Sequence, residues 1–142
     1  MSNEITTVTL DWEQTNLSRI HLHHEAYFYA FSRANTVVYI GKSEWTTLRA
    51  EITQNLKRLN ISNTGLSLWI GHVNRNKTSI KRITTEIIDD VESALIFKVP
   101  STHNIQKTKT YRGRVNLKII NENISVFKKQ ITITPKTKTV KP

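Results

Sequence analysis

Two short runs of aromatic and β-branched residues, 26–31 and 37–41, lie on either side of a polar break at 32–35. This pattern is typical of a β-hairpin. Alternation of apolar and polar residues also predicts strands over 4–10, 66–73 and 80–87. We therefore expect a small sheet built around the hairpin.

Two stretches have the apolar spacing of helices. The first runs from about residue 45 to residue 59, and the second runs from about Asp89 to Lys98 and is ended by Pro100. Together with the strands, they predict an α+β fold in which helices flank a small, mainly antiparallel sheet. A basic, strand-rich C-terminal extension follows.

Positive charge is concentrated at the C-terminal end of the 142 residues. The net charge is +10, and residues 105–142 hold ten basic residues and one acidic residue. Alternation in this extension predicts strands near 115–119, 124–126 and 131–133, so only its last residues are expected to be flexible. We divide the chain into a lead-in (1–24), a core (25–104) and the basic extension (105–142). Such charge favours polyanionic partners: DNA, RNA or an anionic membrane surface.

Several classes of protein are disfavoured by what the sequence lacks. Cysteine is absent, which excludes disulfides, thiolate metal sites and a thiol nucleophile. No apolar run is long enough to cross a bilayer and no leader precedes the chain, so we expect a cytoplasmic protein without a membrane partner. His21, His23, His24 and Glu25 invite a metal site, but no further ligands accompany them at a suitable spacing, and a polar entry into a strand is the simpler interpretation.

Several polar residues recur in an ordered series along the core. The pieces are Tyr27-Phe28-Tyr29, Tyr39-Ile40-Gly41, Lys42-Ser43, Arg49, the segment Glu92-Ser93-Ala94-Leu95-Ile96, Pro100 and Asn104. In this order and spacing, residues 27–104 resemble the GIY-YIG nuclease superfamily.

The resemblance implies a DNA endonuclease that hydrolyses phosphodiester bonds with one divalent cation, usually Mg²⁺, for which Mn²⁺ can substitute. Glu92 matches the metal-ligand glutamate, and a single carboxylate suits Mg²⁺ because this ion keeps water and phosphate among its ligands. Tyr39 matches the tyrosine that aligns or deprotonates the attacking water, and Tyr29 matches its neighbour at the scissile phosphate.

The remaining site residues implied by the resemblance are two cations and an amide. Lys42 and Arg49 would favour the phenolate, Arg49 would also stabilise charge on the phosphate, and Asn104 would support the site by hydrogen bonding. The chain departs from the family at two positions. Tyr27 replaces the glycine of the first motif, and Thr53 stands where many members carry His or Tyr.

One segment of the extension interleaves an aromatic residue with cations, and we expect it to contact the nucleic-acid backbone. Its residues are Lys107, Lys109, Tyr111, Arg112 and Arg114. A solvated basic strand edge is the alternative for this segment.

The leading hypothesis is thus a compact Mg²⁺-dependent endonuclease, of restriction or defence type, that acts on double-stranded DNA and dimerises if it cuts both strands. The alternative is a nucleic-acid-binding module that keeps the fold but has a weak reaction or none. Thr53 and the lost motif glycine favour that alternative. Taken singly, Tyr29 and Tyr39 would be ordinary half-buried strand tyrosines.

Overall fold

The computed structural model describes residues 4–23, 26–44, 47–104, 111 and 113–135. Within them the chain forms six strands and two α-helices, joined by loops and two short 3₁₀ turns. The strands are β1 (Ile5–Thr15), β2 (Phe28–Arg33), β3 (Thr36–Lys42), β4 (Leu66–Val73), β5 (Asn116–Glu122) and β6 (Gln130–Ile133). The helices are α1 (Leu48–Arg58) and α2 (Thr85–Lys98), and the 3₁₀ turns are Leu17–His23 and Arg75–Lys77.

All six strands belong to one sheet, in the order β3-β2-β4-β1-β5-β6. The predicted α+β class is confirmed, whereas the predicted small, mainly antiparallel sheet was wrong. The sheet is mixed because β5 pairs parallel with β1, from Ile5 opposite Asn116 to Asp11 opposite Glu122. A parallel partner lies far away along the chain, so the local pattern of β5 could predict a strand but not its neighbour.

The hairpin is β2–β3, and it carries a bulge between Phe31 and Ser32. Its turn places Ala34 at a φ of 56°, in the left-handed region. β2 also pairs antiparallel with β4, so the hairpin forms one end of the sheet with β3 as the edge strand.

Side chains alternate between the two faces of each strand, and the two faces carry two separate cores. On one face Phe28, Ala30 and Ile40 pack against α2 and the C-terminal strands. On the other face Tyr29 and Phe31 pack against the apolar stripe of α1. The hairpin therefore supplies side chains to both cores.

The second helix begins earlier than its apolar spacing predicted. It starts at Thr85, with the side chain of Thr84 accepting a hydrogen bond from the backbone N–H of Ile87. The strand expected over 80–87 was wrong, because this threonine cap recruits the end of that segment into the helix. No strand forms near 124–126 among the described residues; there the chain turns between β5 and β6.

The termini of the first helix and of β1 also differ from the sequence prediction. Thr47 caps α1, since its side-chain oxygen accepts from the N–H of Ala50. β1 continues to Thr15, and the segment after it forms a 3₁₀ turn that extends to His23. No helix of the described residues is both long enough and apolar enough to cross a bilayer.

Candidate active site

Tyr29 lies at the centre of the α1 face of the sheet and is completely buried. Its register partner across the hairpin is Gly41, and a Cβ at Gly41 would lie 2.5 Å from both the Cζ atom and the hydroxyl of Tyr29. The ring of Tyr29 therefore occupies space that only glycine leaves open. The glycine of Tyr39-Ile40-Gly41 is therefore needed because a side chain at this position would clash with the ring of Tyr29.

Three polar side chains of α1 reach toward the tyrosines: Glu51, Asn55 and Arg58. They are spaced by four and three residues, so they share one helix face. Asn55 is buried, and its Nδ2 donates to the Tyr29 hydroxyl at 2.5 Å and to Glu51 Oε2 at 2.8 Å. The Tyr29 hydroxyl in turn donates to Glu51 Oε2 at 3.4 Å. This polar face was not predicted from the sequence, although the spacing of its residues by four and three was available as a signal.

Arg58 joins this network to the second tyrosine. Its Nε and Nη2 donate to Asn55 Oδ1 at 3.1 and 2.9 Å, and its positive charge lowers the pKa of Tyr39 in part. Tyr39 is half-buried, and its ring centroid lies 6.2 Å from that of Tyr29. The hydrogen-bonded network of Tyr29 is thus connected to Tyr39 through the charge of Arg58.

Both tyrosines have a raised pKa. Burial is the main cause for Tyr29, with further contributions from the charges of Tyr39, Glu51 and Glu92 that outweigh the hydrogen bond from Asn55. Burial also raises the pKa of Tyr39, followed by the charge of Glu92, while Arg58 lowers it in part. Both groups are therefore neutral phenols at neutral pH, suited to donating hydrogen bonds.

Glu92 is buried in the middle of α2, which packs against the edge strand β3. Its carboxylate is close enough to both phenols to raise the pKa of each. Among the described residues no group of three or more His, Asp and Glu side chains could enclose a metal ion. A single carboxylate fits Mg²⁺, which takes few protein ligands, and does not fit zinc.

Asn104 is bonded to the backbone of Ile40, the residue that follows the second tyrosine. Its Oδ1 accepts from the backbone N–H of Ile40 at 2.9 Å, and its Nδ2 donates to the carbonyl of Ile40 at 3.0 Å. The amide thus pairs with the edge strand as a neighbouring strand would, next to Tyr39. The two bonds hold Asn104 against the backbone of β3, and its role at the site stays a prediction.

The two predicted cations lie away from the phenols. Lys42 is three residues from Tyr39 in the same strand, and alternation therefore turns it to the opposite face of the sheet. There its Nζ lies 3.6 Å from Glu44 and 3.9 Å from Asp89. Arg49 is exposed on the outer side of α1, and the cation beside the tyrosines is Arg58 instead.

The predicted nucleic-acid contacts of the extension are described only in part. Lys107, Lys109 and Arg112 lie outside the described residues. Tyr111 is buried in the α2 core and donates to the carbonyl of Val115 at 3.1 Å. Arg114 is held by α2, with its Nη1 at 2.6 Å from Asp90 Oδ1.

Burial of Asp90 raises the pKa of its carboxyl group, and the hydrogen bonds and charge of Arg114 offset that rise in part. The pair ties the extension to α2. Tyr111 and Arg114 therefore have structural roles in the fold rather than forming a free basic edge.

Comparison of the chain with family models, with curated proteins and with solved structures gave no match.

Proposed function

We propose that this chain is a Mg²⁺-dependent endonuclease of the GIY-YIG type that hydrolyses DNA phosphodiester bonds. The proposal is carried by the pairing of Tyr29 with Tyr39, whose ring centroids lie 6.2 Å apart, and it is supported by the charge of Glu92, which contributes to the raised pKa of both phenols. These three residues come from different elements and occupy the family's positions in order. The net charge of +10 suits a polyanionic substrate.

Each residue of the site has a chemical role in this proposal. Glu92 would hold the Mg²⁺ ion, which when bound polarises the scissile phosphate and lowers the pKa of a coordinated water. Tyr39 is a neutral phenol at the half-exposed end of the pair, so it aligns the attacking water by hydrogen bonding rather than by accepting its proton. Tyr29 is fixed by Glu51 and Asn55 and holds the geometry around it.

Arg58 takes the role that the resemblance implied for Arg49. Its guanidinium is permanently charged, lowers the pKa of Tyr39 and is oriented by the two bonds to Asn55. A pre-oriented cation at this position stabilises the negative charge that grows on the phosphate oxygens in the transition state. Hydrolysis then breaks one P–O bond, leaving a phosphate on one fragment and a hydroxyl on the other.

Nicking of supercoiled plasmid tests the proposal. We expect nicks with Mg²⁺ or Mn²⁺ and none with EDTA, and we expect Arg58→Gln to slow cleavage by about 10²–10³-fold. Arg75→Gln is the matched control, since Arg75 is an exposed arginine in the 3₁₀ turn after β4. Cleavage that persists in EDTA, or equal rates for the two variants, would contradict the assigned roles.

A nucleic-acid-binding module without the reaction is the second candidate. It is favoured by the placement of Arg49 and Thr53, both on the exposed side of α1 instead of at the phenols. This candidate predicts that plasmid is shifted on a gel yet stays intact with every divalent cation tried.

A compact nuclease with one site per chain cuts one strand at a time. A restriction or defence role on double-stranded DNA therefore requires a homodimer or a second binding event. Analytical ultracentrifugation with and without duplex DNA distinguishes these two routes.

A further inference from the structure

The outer face of α1 carries charge of one sign only. Its exposed charged side chains are Arg49 and Lys57, while Arg58 is exposed on the flank that carries Glu51 and Asn55. The single acidic residue of the helix, Glu51, is turned inward, where it bonds Tyr29 and Asn55. The network that builds the candidate site therefore also removes the one negative charge from the outer face.

Arg49 and Lys57 are available to an external partner. Both are exposed, and neither forms an ion pair within the part of the chain that the structure describes. Eight residues of helix separate their Cα atoms by about 12 Å. A helix lying parallel to the DNA axis over this distance would pass about three to four phosphates of one strand, which rises about 3.4 Å per phosphate along that axis.

The basic face meets the flank of the tyrosine site at its C-terminal end. Arg58 directly follows Lys57, is exposed, and is hydrogen-bonded to Asn55. At the same end of the helix, Arg33 donates to the carbonyl oxygens of Ser62 and Thr64 and so adds a further positive charge beside the loop that follows α1. A phosphate strand held by Lys57 would therefore pass next to Arg58, at the flank of α1 that faces the tyrosines.

The described part of the basic extension has fewer free basic side chains near the candidate site. Of its residues predicted to contact nucleic acid, Tyr111 is buried and Arg114 is engaged by Asp90. The exposed lysines Lys128 and Lys129 lie between β5 and β6, at the opposite edge of the sheet from β3. Charge complementarity next to the site thus favours α1 over this edge.

We propose that the outer face of α1, with Arg49 and Lys57 as its main contacts, binds the phosphate backbone of double-stranded DNA and guides one strand to the tyrosine site. The proposal rests on the proposed nuclease function, because that function names the polyanion. It assigns to Arg49 a role in binding, separate from the chemistry at the phosphate.

Fluorescence anisotropy with a labelled DNA duplex in EDTA tests this surface without cleavage. The double variant Arg49→Gln/Lys57→Gln is compared with Lys128→Gln/Lys129→Gln, which removes the same charge from the opposite edge of the sheet. Losing two phosphate contacts should weaken binding about 30-fold at 0.15 M salt and lower the slope of log K against log salt by about 2. The control should bind like the wild type within about threefold.

Different failures point to different errors. If the α1 variant binds like the wild type, or the control loses as much affinity, the surface is assigned wrongly while the nuclease proposal stands on the plasmid assay. If the wild type binds no DNA even at low salt, the proposed function fails and the α1 proposal fails with it. Tighter binding of duplex RNA than of duplex DNA would overturn DNA as the partner.

Discussion

The Gly41→Ala variant tests whether this glycine exists to admit the first tyrosine of the site. The new Cβ would lie 2.5 Å from both Cζ and the hydroxyl oxygen of Tyr29, about 1 Å inside the ordinary contact distance. Tyr29 is fully buried and bonded to Asn55 at 2.5 Å. The ring therefore cannot move aside without breaking that hydrogen bond.

The expected cost follows from these contacts. Overpacking by one methyl group costs about 1–3 kcal/mol, and a lost buried hydrogen bond adds about 1 kcal/mol. Replacing a glycine inside a strand regains about 0.5–1 kcal/mol of backbone entropy. We expect the free energy of unfolding to fall by about 2–3 kcal/mol, and the Tm to fall by about 6–12 °C for a chain of this size.

Urea unfolding, followed by the fluorescence of the three tryptophans, measures the change. A second pair of proteins, Tyr29→Leu with and without Gly41→Ala, completes a double-mutant cycle. Leucine lacks the atoms that the new Cβ would meet, so Gly41→Ala should cost less than about 0.5 kcal/mol in that background. An equal cost in both backgrounds, or a cost below that value in the wild type, would refute the reasoning.

Three further predictions concern the groups around the site. Burial raises the pKa of Tyr29 above its usual 10.0, so the free energy of unfolding should decline above pH 10 as the unfolded chain loses this proton. Tyr29→Phe should reduce that decline by about 1.4 kcal/mol per pH unit. An unchanged slope in urea unfolding at alkaline pH would contradict this prediction. Arg114→Ala leaves the buried carboxylate of Asp90 without its cation and should cost about 1–2 kcal/mol at neutral pH, allowing for the half-exposed guanidinium. Burial raises the pKa of Asp90, so this cost should shrink as the pH falls toward 3.8, whereas a constant gap would count against the pairing. Asn104→Ala removes both bonds to Ile40 and should lower the free energy of unfolding, measured in urea, by about 1–2 kcal/mol. An unchanged free energy of unfolding would mean that water replaces the amide and would contradict this prediction.

Local patterns were sufficient to predict the hairpin and the strand over 66–73. Aromatic and β-branched runs around a polar break identify a hairpin because its two strands are neighbours along the chain. The bounds of β4 agree with the alternation from Leu66 to Val73. The parallel pairing of β5 with β1 could not be predicted in this way, since it joins residues more than a hundred positions apart.

The candidate site was predictable in part, and its cations show why. Tyr39 and Lys42 are close in sequence, but an odd separation in a strand sends their side chains to opposite faces. Arg49 and Arg58 share a helix, but only Arg58 continues the face of Glu51 and Asn55 toward the sheet. Spacing along the sequence can indicate that a residue lies near a site. The direction in which its side chain points, however, is set by the strand or helix that carries it.

The most direct test of the central claim is the rate of Mg²⁺-dependent plasmid nicking by Glu92→Gln and by Glu86→Gln. Both variants remove one carboxylate charge from α2, but Glu92 is buried and its charge contributes to the raised pKa of both phenols, whereas Glu86 is exposed in the first turn. A metal ligand contributes several kcal/mol to the transition state, so we expect Glu92→Gln to nick at least about a hundredfold more slowly while Glu86→Gln matches the wild type. Equal rates for the two variants, or no Mg²⁺-dependent nicking by the wild type, would contradict the account.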